Sequence, residues 1–503
     1  MAVGNTQLAI DIVRMGPPRL DPYTRLLSRF YEPLFLLAAL GQTRGEHTPK
    51  PPDLGLEHTQ RRRFLRNLAY ICDFQKGGAS CTAIGLEDDA TCYRFWVACN
   101  RADDQVLGFL SVALSHLKDF SDENSEDAEV DKTKTLAFVK FCLSFAESRI
   151  KNEIQLLYKA INECSSVPAY EESQEYRYLQ DWVKSAPDKT NHLDFCDYVH
   201  RTRTSKFIAM LTMHARRQEE LRGPGAKRSS FASVNHYMGR LASHIEAPRR
   251  LLEDARTVGQ ILESYQVCPI KQTESVSKPL PDSLTTMPGI VKRMLNKDDP
   301  ERIEIERKLL YRNTQSGVFE CFMKLYENCS PSVHAEIRVL EHFHRTNLSF
   351  VADDRYIACS KPACLCCQLY FKYHPARMVV PESHCKIWTN WGPPLVTRPI
   401  KNDLEFKRQR DILNQMIADL RRSVIGDILG NSPAHRWHPD SQTGTAGKGY
   451  IISTSKCLGN PDAVNTPVHL EPKTKAMVVT GDSNQLVESR DEGYQSEDGG
   501  IRI

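Results

Sequence analysis

Apolar residues recur at helical spacing over most of the first 265 residues. They form one face of each predicted helix, with polar residues opposite. Only 92–97 (CYRFWV) in this region has the character of a strand. The helical pattern covers these segments: 8–13, 26–40, 61–71, 106–117, 132–161, 176–183, 194–221 and 231–262. Arginines 61–63 begin the third of these helices, where the pattern predicts a solvated helix end.

The pattern changes after residue 300, where helices and short apolar runs alternate. The sequence predicts strands at 318–326, 355–359 and 384–390, and helices at 333–345, 364–373 and 403–425. Alternation of strands and helices is typical of a sheet covered by helices. We therefore predict an α+β protein with a mostly α-helical N-terminal region.

Composition shifts along the chain indicate four parts. We predict a mainly helical region at 1–270, a polar and proline-bearing linker at 271–300, an α/β domain at 301–428, and a polar, largely disordered tail at 429–503. A chain of 503 residues is long enough for more than one core. No internal repeat is evident.

Charge and cysteine content bear on nucleic-acid binding and on the cellular location of the protein. The formal net charge of +3 is too small to indicate nucleic-acid binding by itself, so any basic surface must be local, for example at 216–217, 227–228 or 407–410. Sixteen scattered cysteines, with no signal peptide and no membrane span evident, indicate reduced thiols. The expected location is cytoplasmic or nuclear, and no membrane association is expected.

The residues with the most specific chemistry lie between 333 and 373. His334 begins one predicted helix, and Cys364 and Cys367 begin another, with a predicted strand between them. One histidine and two cysteines can ligate a zinc ion and leave its fourth position open to water, as in catalytic zinc sites. Glu336, two residues after the histidine, can carry protons to and from that water.

Two other interpretations of these residues stay open. The cysteines can be small core residues of a buried helix, which is the expectation for Cys366. Alternatively, Cys359 or His342 can supply a fourth ligand and close the site, which makes the zinc structural.

The order His-Ala-Glu, strand, Pro-x-Cys-x-x-Cys resembles the zinc-dependent cytidine and nucleic-acid deaminases, whose signature is H-x-E…P-C-x-x-C. The stretches 356–361 (YIACSK) and 384–391 (HCKIWTNW) are similar to a fungal deaminase-like family related to deaminases of bacterial toxins. The resemblance implies a three-layer α/β/α domain with a mixed sheet of about five strands. Ala363 is a departure, since it separates Pro362 from Cys364.

The resemblance also implies a function. His334, Cys364 and Cys367 match the zinc ligands, and Glu336 matches the proton shuttle, so the expected activity is hydrolytic deamination of a cytosine- or adenine-type base. A zinc-bound hydroxide would be the nucleophile. The substrate would be a nucleobase, a nucleoside or a nucleic acid.

A second hypothesis is an inactive deaminase-like scaffold with structural zinc, acting as an interaction protein. Its partner would bind through the helical N-terminal region. A third is nucleic-acid binding by the local basic clusters, although such clusters are more often solvated helix faces.

Overall fold

A computed structural model describes eight segments of the chain, together with positions 213 and 399. The segments are 21–41, 56–101, 103–122, 128–165, 174–203, 230–278, 280–397 and 402–430. The predicted helix at 8–13, the basic clusters at 216–217 and 227–228, and the tail from 431 lie outside them. In these segments, no helix is both long enough and apolar enough to cross a membrane.

The described residues form one mixed sheet of four strands, which supports the α+β class, while the resemblance implied about five. Its order is β3-β2-β1-β4, with β1 antiparallel to β2 and β4, and β2 parallel to β3. The strands are β1 Thr82–Asp88, β2 Tyr93–Cys99, β3 Tyr265–Pro269 and β4 Ile357–Cys359. The predicted strands at 92–97 and 355–359 are confirmed. Three strands precede residue 270, and the predicted domain boundaries stay a prediction.

The described segments also contain fifteen α-helices. Those before β3 are α1 Pro22–Ala39, α2 Leu56–Cys72, α3 Asp103–Asp122, α4 Ala128–Phe145, α5 Glu147–Ser165, α6 Gln174–Ser185, α7 His192–Thr202, α8 Ser230–Thr257 and α9 Gly259–Glu263. The later ones are α10 Met287–Met294, α11 Arg302–Ser316, α12 Val318–Asn328, α13 Ala335–Thr346, α14 Leu365–Tyr373 and α15 Leu404–Leu429. The last three confirm the helices predicted at 333–345, 364–373 and 403–425.

Two predicted strands are wrong. Residues 318–326 form helix α12, which buries Val318, Phe322 and Tyr326 at a spacing of four, so the burial is helical and not alternating. Residues 384–390 form no strand. Isolated bridges lie on either side of it, at Ser383 and Trp391, and Cys385 has a left-handed φ of 50° that breaks an extended conformation.

Helices cover both faces of the sheet, and the alternation of strand side chains explains why. On β1, Ile84 and Leu86 pack into a core with α2 and α3, whereas Ala83 faces a core built around α13 and α15. Helix α1 packs into the core around α13 and α15, so the N-terminal end of the described chain packs against its C-terminal half. A third core lies within helices α4 to α8.

The charge run at 61–63 suggested a solvated helix end, and this prediction is wrong. Arg62 and Arg63 make buried or partly buried ion pairs with aspartates distant in sequence. Arg62 Nη2 lies 2.6 Å from Asp354 Oδ1, and Arg63 Nε donates to Asp254 Oδ2 at 2.9 Å. A local charge pattern cannot reveal partners that are so far away along the chain.

Gly85 allows the close approach of α13 to the sheet, which generates a stability prediction. A Cβ atom at this position would lie 2.5 Å from Phe343 Cε2 and 2.8 Å from Val339 Cγ1. We expect Gly85→Ala to lower the free energy of unfolding by about 1–3 kcal/mol, because the added methyl overpacks a buried contact. Urea unfolding followed by circular dichroism measures this change.

The matched control is Gly108→Ala in the exposed part of α3, where a Cβ would meet no atom within 4 Å. This control is expected to stabilise the protein by about 0.5–1 kcal/mol, since alanine favours a helix interior. Equal effects of both substitutions would contradict the packing explanation.

Candidate metal centre

Two helix N-termini bring the candidate ligands together. His334 immediately precedes α13, Cys364 immediately precedes α14, and Cys367 lies in the first turn of α14. One donor atom from each of the three residues lies within 4.8 Å of the others. In the part of the chain that the structure describes, no other group of three histidine, cysteine or acidic side chains could hold a metal ion.

The distances between these atoms match those expected around a tetrahedral zinc ion. Typical Zn–N and Zn–S bonds at a tetrahedral angle place nitrogen and sulfur about 3.5 Å apart. His334 Nδ1 lies 3.6 Å from Cys364 Sγ and 3.3 Å from Cys367 Sγ. Both nitrogen–sulfur distances therefore fit a single ion.

Two N–H groups donate to the cysteine sulfurs and are suited to stabilise thiolates. Trp391 Nε1 donates to Cys367 Sγ at 3.1 Å, and the Cys367 amide donates to Cys364 Sγ at 3.4 Å. The Trp391 indole is completely buried and packs on Phe30 of α1, with ring centroids 5.5 Å apart. Tyr31 Oη donates to the Trp391 carbonyl oxygen at 3.2 Å. Helix α1 thus holds a residue that contacts a candidate ligand.

The start of α13 is fixed from the end of β2. The His334 side chain does not cap its own helix, and Asn100 Oδ1 accepts from the Ala335 amide at 2.8 Å instead. Asn100 Nδ2 in turn donates to the Gly78 carbonyl at 2.8 Å. This role could not be predicted, because no local pattern relates Asn100 to a helix that starts 235 residues later.

Glu336 lies beside the candidate ligands and is not one of them. Its side chain is buried, with the residue only 5% exposed, and its Oε1 lies 4.0 Å from His334 Nδ1. Burial, together with the nearby Glu336 charge, raises the pKa of the Cys81 thiol to about 12 and that of Cys359 well above its usual value. These two thiols stay protonated near neutral pH.

The candidate ligands have strongly shifted pKa values. Burial lowers the pKa of His334, but the Cys364 thiolate more than reverses this and raises it to about 9. Burial raises the pKa of Cys364, but the hydrogen bond from Cys367 and the charge of His334 lower it to about 6. Burial and Cys364 together raise the pKa of Cys367 well above its usual value.

Neither residue considered as a fourth ligand belongs to the group. Cys359 lies on β4 and is not among the three clustered residues, and His342 packs on Trp96 with ring centroids 4.2 Å apart. Cys366 is buried and also outside the group, as expected of a core residue. The described residues therefore offer three ligands, which leaves one position of a tetrahedral ion for another group.

The extra residue Ala363 is fixed by backbone pairing. Its amide donates to the Glu382 carbonyl at 2.8 Å, and its carbonyl accepts from the His384 amide at 3.1 Å. Ser383 Oγ donates to the same carbonyl at 2.8 Å. The segment 382–384 thus supports the loop before Cys364.

The comparison with family models agrees with this site. Residues 333–395 match the family described as OTT_1508-like deaminase, and the match includes all three clustered residues and Glu336. The chain thus contains a deaminase-like domain with a possible metal-binding group. No curated protein and no solved structure is significantly similar to the chain.

The shifted pKa values predict how metal binding depends on pH. Near pH 7.5, His334 carries a proton that metal must displace, because its pKa is about 9, and Cys367 carries another. Cys364, with a pKa of about 6, is already a thiolate. Binding should therefore release about two protons, so the affinity should rise about 100-fold per pH unit between pH 7 and 8.

Calorimetric titration of zinc in buffers of different ionisation enthalpy counts these protons. Release of one proton or fewer would contradict the assigned protonation states.

The Trp391 hydrogen bond predicts a second change in metal affinity. Trp391→Phe removes the N–H donor to Cys367 Sγ and keeps an aromatic ring, so the zinc affinity should fall about 10-fold or more. Competition with a chromophoric chelator measures it. The matched control is Trp388→Phe, since Trp388 is half-buried and its ring contacts Lys386. Equal affinities of the two variants would show that the hydrogen bond does not tune the metal.

Proposed function

We propose that the protein is a zinc-dependent hydrolytic deaminase of an amino-substituted nucleobase. The observation that carries this proposal is the arrangement of His334, Cys364 and Cys367 at tetrahedral spacing, with the buried Glu336 carboxylate beside them. The match of residues 333–395 to a deaminase family supports it. Helices on both faces of a mixed sheet support a cytidine-deaminase-like three-layer fold, although three of the four described strands lie before residue 270.

The side chains divide the chemistry between them. When bound, zinc would lower the pKa of a water at the open position toward neutrality. Glu336 would accept a proton from that water and deliver it to the exocyclic nitrogen of the base. The water oxygen would bond to the ring carbon, the carbon–nitrogen bond would break, and the nitrogen that received the proton would leave as ammonia. Trp391 and the Cys367 amide would hold the thiolates in place during these steps.

The substrate class rests on the deaminase signature, and cytosine- and adenine-type bases both fit it. The substrate would be a free base, a nucleoside or a nucleic acid, in the cytoplasm or nucleus. A scaffold function with structural zinc and a protein partner at the N-terminal helices is the alternative. The three-ligand site favours catalysis, since closed structural sites have four protein ligands.

Glu336→Gln tests the catalytic proposal. The amide keeps the size of the side chain and cannot take up the proton, so the deamination rate should fall about 100-fold or more with zinc content unchanged. Purified zinc-loaded protein is assayed for ammonia release with cytosine and adenine substrates as bases, nucleosides, RNA and single-stranded DNA. The control is Glu320→Gln on the exposed surface of α12, which should keep full activity.

If the wild-type protein holds one zinc per chain but has no activity on any of these substrates, the proposed enzymatic function is refuted and the scaffold function remains.

Metal content tests the ligand assignment separately. Cys364→Ala removes one of three ligands and should abolish zinc retention after gel filtration. Cys366→Ala is the matched control, because Cys366 is equally buried two residues away and lies outside the cluster. Elemental analysis gives zinc per chain for both. Zinc retained by Cys364→Ala would contradict the assignment.

A further inference from the structure

A buried chain of charged side chains begins three residues before the candidate ligand Cys364. Lys361 donates to the Gly77 carbonyl, and its Nζ lies 3.3 Å from Asp73 Oδ2 at the end of α2. Asp73 Oδ1 also accepts from Ser80 Oγ at 2.6 Å. The loop that carries Cys364 is thus tied to the segment 73–80.

The chain continues from Asp73 into the helices of the N-terminal half. Arg149 of α5 lies 3.2 Å from Asp73 Oδ2 through Nη1 and donates to Glu153 Oε1 at 2.9 Å through Nε. Two residues of α8 also contact Glu153. Arg240 Nη2 lies 2.8 Å from its Oε1, and His244 Nε2 lies 2.9 Å from its Oε2. Charged contacts therefore run without a break from α5 and α8 to the loop before Cys364.

Asp73, Arg149 and Glu153 favour their charged forms despite their burial. The side chains of Asp73, Arg149 and Glu153 are at most 1% exposed. Burial raises the pKa of Asp73, but the charges of Lys361 and Arg149 outweigh it, and the pKa lies below its usual value. Buried ion pairs add little net stability compared with apolar packing, and their geometric demands are strict.

We propose that Lys361 is a positioning residue that ties the metal-binding loop to the helical half of the protein through Asp73. The inference rests on the proposed metal site. It adds that the affinity of the three ligands for zinc depends on the Lys361–Asp73 ion pair, which lies outside the ligand set. The coupling is reciprocal, so metal binding at Cys364 stabilises the Lys361–Asp73 contact in turn.

A direct electrostatic effect of Lys361 has the opposite sign. A positive charge near a cation site repels the metal, so loss of the charge alone would tighten binding. Loss of positioning leaves the Cys364 loop free to move away from His334 and weakens binding. The direction of the change therefore distinguishes the two roles.

The experiment compares zinc affinity in wild type, Lys361→Met, Asp73→Asn and the double variant by chelator competition. If circular dichroism shows that Lys361→Met does not fold, Lys361→Gln is used in its place. Lys372→Met is the matched control. Lys372 lies on α14, the helix of Cys367, and its Nζ lies 3.1 Å from Asp419 Oδ2, outside the chain of charges. Cobalt-substituted proteins report ligand geometry through their visible absorption bands.

We expect Lys361→Met and Asp73→Asn each to weaken zinc binding about 5-fold or more, and the double variant to be no weaker than the single ones. The cobalt bands should shift in these variants and stay unchanged in Lys372→Met. Unchanged or tighter zinc binding in Lys361→Met would overturn the proposal. Additive losses in the double variant would overturn the route through Asp73. Wild-type protein that binds no zinc would refute the proposed metal site instead.

Discussion

The constraint on which the site depends is the meeting of two helix N-termini at one place. Helices α13 and α14 are separated along the chain by β4, and each begins at a candidate ligand. The position of α13 is fixed against the sheet by Gly85, which lets the helix approach closely, and by Asn100, which binds its first amide. A shift of either helix would separate His334 from the two cysteines.

Support for this arrangement comes from parts of the chain distant in sequence. Helix α1 holds Trp391, which donates to Cys367, and the segment 382–384 pairs with Ala363. The chain of charges through Asp73 reaches the same loop from α5 and α8. The match to a deaminase family covers residues 333–395. Several of the supporting residues, such as Phe30, Asp73 and Arg149, lie outside that range. The site is therefore built by much more of the chain than its motif.

The division of roles between ligands and Glu336 follows from geometry and charge. Three donor atoms would occupy three of the four coordination positions of a tetrahedral zinc ion and leave one position open. Glu336 is buried beside this group, with its Oε1 4.0 Å from His334 Nδ1, and it is not one of the three clustered residues. In the proposed mechanism, metal binding and proton transfer therefore belong to different residues.

The sequence by itself determined the candidate ligands, the carboxylate beside them and the helices at 333–345, 364–373 and 403–425, because these depend on local spacing and periodicity. The tertiary structure decided what local patterns cannot show. It joined β4 to β1, from a distant part of the chain, in one sheet. It also selected Asn100, Trp391 and Lys361 as supports of the site. These roles arise from contacts between residues far apart in the chain, which periodicity does not encode.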